Sequence, residues 1–293
     1  MANWNASFDG FPKEMSDRTV FGSDKALKYA MKKIWTNQGK SVLYLKSYKF
    51  KEGKKEKPDK LQPRNLKERY KHVFDTEIND KADSKEILKN LFAAVDVRQF
   101  GATFAESSNN ISITGAVQVG QGIAKYDQGV VEQQILSPFR DPNKPDAIQT
   151  SLGTKITSEE THYFYPVSIN PESYKDYVNL DVTDGYTEED YQNFKQVALV
   201  AATALNTNSK AGCENEFTMF VEVDKDIYLP DLTEYIGFEK IENGKDKIII
   251  ELAELLNGID VKAIEIFYNT KTLDIITDVE IKSYNIFTRE EVK

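Results

Sequence analysis

The residues best placed to do chemistry are glycines and lysines. Residues 111–122 read ISITGAVQVGQG, with glycines at 115, 120 and 122. A glycine-rich stretch after a β-branched run is one way to cradle a phosphate. The nucleotide-binding pattern GxxxxGK[ST] matches at Gly115 and Gly120 and then fails, because position 121 is Gln and 122 is Gly. The lysine for the terminal phosphates and the hydroxyl for magnesium are both missing. No G-x-G-x-x-G opens a helix here either. The alternative is a glycine-relieved strand and turn.

The lysines lie on SDKALKYAMKKIW (23–35). Ser23 can cap a helix whose Leu27, Ala30, Met31 and Ile34 form one apolar stripe. Lys25, Lys28 and Lys32 fall on the opposite face, within about 60° of one another, and Lys33 lies to the side. No acidic residue follows Asp24 on this helix. The ridge is either a solvated charged face or a surface for an anion. Metal and hydrolytic chemistry find little to use. His72 and His162 are far apart, zinc ligands at close spacing are missing, and there is no G-x-S-x-G. Cys213 in KAGCENE has no local sign of a nucleophile site, and His162 in THYFYP reads as a packed or hydrogen-bonded histidine. No cofactor and no metal are implied, and an enzyme is the weaker reading.

These residues need elements to position them. SVLYLKSYKF (41–50) is rich in strand formers, and helical patterns follow at 64–74 and 83–95, the second with Asp83 and Glu86 in capping-box spacing. DVRQFGATF (96–104) breaks out of the helix and ISITGAVQV (111–119) reads as a strand. Residues 120–153 hold four glycines and three prolines, which predicts an extended, irregular excursion. THYFYPVSI (161–169), FTMFVEV (217–223), KIIIEL (247–252) and VKAIEIFYN (261–269) read as strands. YTEEDYQNFKQVALVAATALN (186–206) reads as a helix capped by Thr187, and ELAELLN (251–257) as a short one. The pattern predicts an α+β fold, an antiparallel sheet with helices on one face and long insertions.

Length and charge set the bounds. At 293 residues the chain can bury a real core. It has no run of 18 apolar residues, which argues against a membrane span. Its N-terminus lacks the layout of a signal peptide, and a single cysteine suits a reducing cytoplasm. The net charge of −9 is unevenly spread. Residues 1–100 carry 22 Lys/Arg against 14 Asp/Glu, a balance of +8, and the remainder carries −17. A basic third on an acidic body points to one anion-facing surface, although KFKEGKKEKPDK (49–60) also reads simply as an exposed loop.

Six segments taken in order carry a resemblance: NWNASFDGFPK (3–13), SDKALKYAMKKIW (23–35), DVRQFGATF (96–104), ITGAVQVGQG (113–122), TSLGTKITSEETHYFYP (150–166) and NSKAGCENEF (208–217). The chain resembles the Cascade backbone subunit of type I CRISPR systems, closest to the type I-B branch, within the RAMP superfamily. The resemblance covers essentially the whole chain and is weakest in 47–90 and after about 225.

The resemblance implies one RRM-like (ferredoxin-like) palm over 1–293, with a helical fingers insertion at 47–94 and a thumb at 120–152. It implies several copies along one CRISPR RNA, held by its backbone with bases exposed for pairing with target DNA. Other Cascade subunits are the further partners, in the cytoplasm. Lys28 and Lys32 match basic positions that contact guide phosphates, with Lys25 and Lys33 beside them. Arg98 and Gly101 sit in the motif that approaches the RNA backbone, Gly115 and Gln118 lie where the palm strand runs toward the thumb, and Lys210 matches a basic loop on the same side. The chain departs from the family twice: it begins at the NWNASF-like segment without a preceding strand, and it has Ala116 where proline is common. The rival expectation is an RNA-cleaving relative using Asp127 or His162.

Overall fold

In this computed structural model the described residues are 1–51, 58–79, 82–140 and 150–292. Backbone contacts divide the chain into two compact units, one of Met1–Leu27, Gly120–Pro166 and Ala202–Lys293, the other of Lys28–Val119 and Val167–Ala201. Neither unit is continuous in sequence. The long helix α1 (Asp24–Asn37) carries the chain from the first into the second.

The second unit is helix-rich. It holds most of α1, then α2 (Leu66–Phe74), α3 (Ser84–Ala93), α4 (Val95–Phe100), α5 (Lys175–Asn179) and α6 (Glu188–Ala198). Local chemistry sets the ends. Asn65 and Glu68 form a capping box on α2, and Thr187 and Asp190 form one on α6, each pair satisfying two backbone N–H groups that the first helical turn leaves open. On α3 Asp83 caps differently from the expected box, accepting from the Lys85 amide rather than from that of Glu86. The core gathers Leu91 and Phe92 of α3, Val97 of α4, Tyr70 of α2, Tyr174, and Phe104 and Ile113 from the strand pair Gly101–Glu106 and Asn109–Thr114.

The first unit is built of strands. Phe21–Gly22, Gly122–Asp127 and Thr161–Phe164 make one antiparallel sheet. Val130–Arg140 and Thr150–Ser158 form a long antiparallel ladder. Two further three-stranded sheets have mixed directions: Phe217–Val223, Val261–Tyr268 and Lys282–Asn285, and Ile236–Glu239, Asp246–Ile250 and Leu273–Thr277. In each the last pair is parallel. Ile248, Ile250, Leu252 and Ile266 centre the apolar core here. The content is α+β, distributed over several small sheets.

The chain departs from the sequence expectations at several places. DVRQF does not break out of helix but forms α4, and 161–169 is two strands, Thr161–Phe164 and Val167–Ile169, parted at Pro166, which has no N–H to continue a ladder. Residues 111–119 form two strands, because Gly115 ends the pairing with Gly101–Glu106 and Val117–Val119 then pairs with Val167–Ile169. Only Tyr48–Lys51 of 41–50 is strand, since the amides of Leu43 and Tyr44 donate to the Asp96 carboxylate. Residues 251–257 are a run of turns. In 120–153 most of the described residues are strand, in Gly122–Asp127, Val130–Arg140 and the start of Thr150–Ser158, an order its glycines and prolines concealed.

Candidate nucleic-acid interface

The second unit assembles a cationic surface on the motif DVRQFGA (96–102), and nearly every residue of the motif has a separate task. Asp96 is fully buried and accepts the backbone N–H groups of Leu43 and Tyr44 at 2.8 Å each. Arg98 lies on the same short helix α4 and donates to both carboxylate oxygens of Asp190, to the Gly185 carbonyl at 2.8 Å and to Thr183 Oγ1. Gln99 donates to the Asp190 carbonyl and accepts from Tyr186 Oη, both at 2.8 Å. The motif therefore clips two distant segments, 43–44 and 183–190, onto α4. The hydrogen bonds and charge of Asp190 hold the Arg98 guanidinium above its ordinary value despite burial. Burial raises the Asp190 carboxyl, but its bonds to Arg98 and Thr187 outweigh that and lower it.

Phe100 carries the lysines. Its ring packs against Trp35 of α1 at 5.7 Å, and Lys28 Nζ and Lys32 Nζ stand over it at 5.3 and 5.9 Å from the centroid. One helical turn apart, the two lysines share a face of α1. Each ammonium gains about 0.5–1 kcal/mol from the ring's negative face. Lys32 is further tethered to the Tyr44 carbonyl at 3.3 Å and lies 3.6 Å from Asp96. Tyr44 is held by its hydroxyl on the Thr103 carbonyl, and burial with the Asp96 charge pushes its pKa to about 12. Lys33 is half-buried on the side of the helix, and Lys25 is exposed on the part that belongs to the first unit.

Gly101 and Gly115 meet beside Phe100. Gly101 has φ of +77°, and a Cβ there would stand 2.1 Å from the Ile113 carbonyl oxygen. A Cβ on Gly115 would stand 2.2 Å from the carbonyl carbon of Phe100. The two backbones cross in van der Waals contact, which only glycine allows. The crossing is locked by Tyr174, whose hydroxyl accepts from the Ala116 amide at 3.0 Å and donates to the Arg98 carbonyl at 2.7 Å. The exposed Gln118 donates to the Gly115 carbonyl at 2.7 Å.

In the first unit, Lys210 is half-buried. It donates to the Asn3 carbonyl and stands over the Trp4 ring at 5.9 Å, and burial lowers its pKa. Trp4 Nε1 donates to Tyr165 Oη at 2.6 Å, and the Tyr165 ring occupies the space a side chain on Gly122 would need. The NWNAS, TGAVQVGQG, YFYP and NSKAG segments thus include glycines and aromatics that fit one another within each unit.

The profile of one protein family, CRISPR-associated protein Cas7, matches residues 1–253. This chain belongs to the Cas7 family. Among solved structures it is similar to a chain of a "CRISPR RNA-guided surveillance complex, pre-nicking", with a TM-score of 0.52 and 13% identity over 97% of this chain and 93% of that one. It is also similar to a chain of a "CRISPR RNA-guided surveillance complex", with a TM-score of 0.51 and 13% identity over 93% of this chain and 86% of that one. At such identity the likeness is one of fold. A search of curated proteins found no match.

Within this Cas7-family chain, the residues weighed for cleavage chemistry are engaged elsewhere. Asp127 accepts from Thr161 Oγ1 at 2.7 Å. His162 has both ring nitrogens 3.1 Å from carboxylates, those of Glu160 and Glu216, and stacks on Phe238 at 4.2 Å. Glu160, His162 and Asp246 stand close enough to share a cation. The Lys240 ammonium fills that role, 2.6 Å from Glu160 and 3.1 Å from Asp246. Sequence reasoning passed over Phe100, Tyr44 and Asp96. The aromatic in DVRQFGATF was visible, but nothing in sequence spacing places it beneath a helix some 70 residues upstream.

Proposed function

We propose that this chain is a backbone subunit of a type I RNA-guided surveillance complex, closest to the I-B branch, and that it binds a CRISPR RNA by its sugar-phosphate backbone. The observation that carries the reading is the family match over residues 1–253. The surface on α1 supplies compatible chemistry: two lysines one turn apart, held over an aromatic ring, beside a backbone crossing with no side chains. Such a surface tracks phosphates and carries no base-specific code. Lys28 and Lys32 are the phosphate contacts in this account, with Lys25 and Lys33 flanking them and Gly115 and Gln118 beside the path. Arg98 and Gly101 act by shaping the platform, since the Arg98 guanidinium is held by Asp190. Lys210 acts by fixing the N-terminal segment.

In the same reading the palm is RRM-like and the insertion at 47–94 forms the fingers, of which 52–57 and 80–81 lie outside the described residues. Residues 120–152 form the thumb, and its stretch 141–149 also lies outside them. Copies line up along one guide with other Cascade subunits in the cytoplasm, and the exposed bases pair with target DNA. The subunit itself is non-catalytic. Neutralising Lys28 and Lys32 together tests the assignment. For a single strand, removing two phosphate contacts lowers the slope of log affinity against log salt by about 1.4. Guide binding should weaken ~10-fold or more at about 0.15 M salt. A double variant with unchanged guide content and unchanged salt slope contradicts the assignment.

A further inference from the structure

The first unit holds a mixed nitrogen and oxygen donor set that has no role in the account above. Glu160 and His162 flank Thr161 at the start of the strand Thr161–Phe164, and alternate residues of an extended chain share a face. Asp246 opens the strand Asp246–Ile250, and Glu216 immediately precedes Phe217–Val223. One ligand atom each of Glu160, His162 and Asp246 lies within 4.8 Å of the other two. These residues stand on or beside strands of three different sheets, so an ion shared among them would tie those sheets together.

The imidazole is arranged to offer one nitrogen to a cation. His162 Nδ1 lies 3.1 Å from Glu216 Oε2, and Nε2 lies 3.1 Å from Glu160 Oε1. The other Glu216 oxygen accepts from Thr272 Oγ1 at 3.3 Å, and the ring stacks on Phe238. A neutral imidazole carries a single N–H. With that hydrogen on Nδ1 and donated to Glu216, the Nε2 lone pair faces a carboxylate oxygen, and only a cation between the two makes the contact attractive. A second proton can do this, and so can a metal ion. An outer N–H given to a carboxylate is the contact by which metal-bound histidines are oriented. The 3.1 Å separation of Nε2 and Oε1 is close to the ~3.3 Å between two ligands of a tetrahedral zinc with bonds of about 2.0–2.1 Å.

Asp246 supplies the third ligand. It is 7% exposed, and its Oδ1 is fixed by the Ile241 amide at 2.9 Å, which leaves Oδ2 for a cation. Lys240 Nζ, 2.6 Å from Glu160 Oε1 and 3.1 Å from Asp246 Oδ2, marks where that positive charge belongs. It holds the place weakly. Its side chain is 33% exposed, and an ammonium on a flexible stem returns to water at little cost. It brings one charge where Glu160, Asp246 and Glu216 bring three. A divalent ion brings two and takes the ring nitrogen as well. An imidazole among carboxylates suits zinc and its first-row neighbours, whereas magnesium and calcium take oxygen ligands.

We propose that Glu160, His162 and Asp246 form a binding site for a divalent transition metal, zinc being the best fit, with Glu216 positioning His162 and Lys240 as the ammonium that the metal displaces. The ion is structural: it pins the three sheets of this unit, and the site does not depend on the guide-binding reading. The test uses the full chain, stripped with a chelator and held at about pH 8, where histidine ligands are neutral. Titration with zinc chloride should show about one ion bound per chain and a rise in Tm, because the ion binds the folded state. Cobalt(II) should give the visible absorption of a tetrahedral site, and magnesium should give no response. Glu216→Gln should weaken zinc binding 10–100-fold, the effect of losing the outer partner of a metal-bound histidine. Lys240→Met should tighten it by removing the competitor. His162→Gln should abolish both the zinc response and the cobalt spectrum, and Glu160→Gln, at a more exposed position, gives the same reading should His162→Gln fail to fold. A wild-type chain that binds no zinc overturns the proposal and leaves the cluster a salt-bridge network. Zinc binding that survives Glu160→Gln and Glu216→Gln unchanged also overturns it, since the ion then sits elsewhere.

Discussion

Asp96 and Arg98 sit two residues apart on one short helix, and each uses its charge to hold a different stretch of backbone. Asp96 binds two amides of the segment 43–44, and Arg98 binds a carboxylate and a carbonyl of 183–190. A mostly buried pair loses far more when one partner is removed than its net contribution suggests, because the remaining charge is stranded. Asp190→Asn should therefore destabilise the protein by about 3 kcal/mol, read as a lower chemical-denaturation midpoint. Gly115→Ala places a methyl group against the Phe100 backbone. That cannot be relieved by a side-chain rotation, so a loss of about 2–4 kcal/mol is expected, visible as a drop in Tm. His162 gives a pH signature. Burial lowers its pKa, but the bonds to Glu216 and Glu160 more than offset this, so its folded value lies above the ordinary 6.5. Its contribution is then fully present below about pH 6.5 and is lost as pH rises through the folded value. The denaturation midpoint should fall across that window, and His162→Gln should flatten the fall.

At the scale of elements, the sequence was legible where a pattern was local. The apolar stripe of α1, the Thr187 cap of α6 and the strands 217–223 and 261–268 follow from spacing and capping alone. Three kinds of element escaped. Residues 41–47 look like strand but give two amides to a carboxylate some 50 residues on, a tertiary competitor that no window contains. The pairs Asp246–Ile250 with Leu273–Thr277 and Val261–Tyr268 with Lys282–Asn285 are parallel, and such pairing leaves no hairpin signal. The strand 111–119 divides because Gly115 answers to Gly101, not to its own neighbours. The candidate site was legible to the same degree. The lysine ridge followed from helical geometry, whereas the ring beneath it and the clip that holds the ring depend on contacts between segments far apart in sequence.

Across the whole molecule, a balance of +8 in residues 1–100 against −17 in the remainder concentrates anion affinity in a minor part of the chain. In the proposed row of copies along one guide, an acidic remainder would limit the repulsion that many basic copies accumulate. The central claim is that this chain packages a guide RNA, and it can be measured directly. The chain is expressed with a CRISPR array and its partner subunits, purified, and the bound nucleic acid extracted and sized. The account predicts one short RNA of defined length, carried by several copies of the chain. Complexes with their normal partner subunits but no RNA, or with RNA of random length, would contradict it.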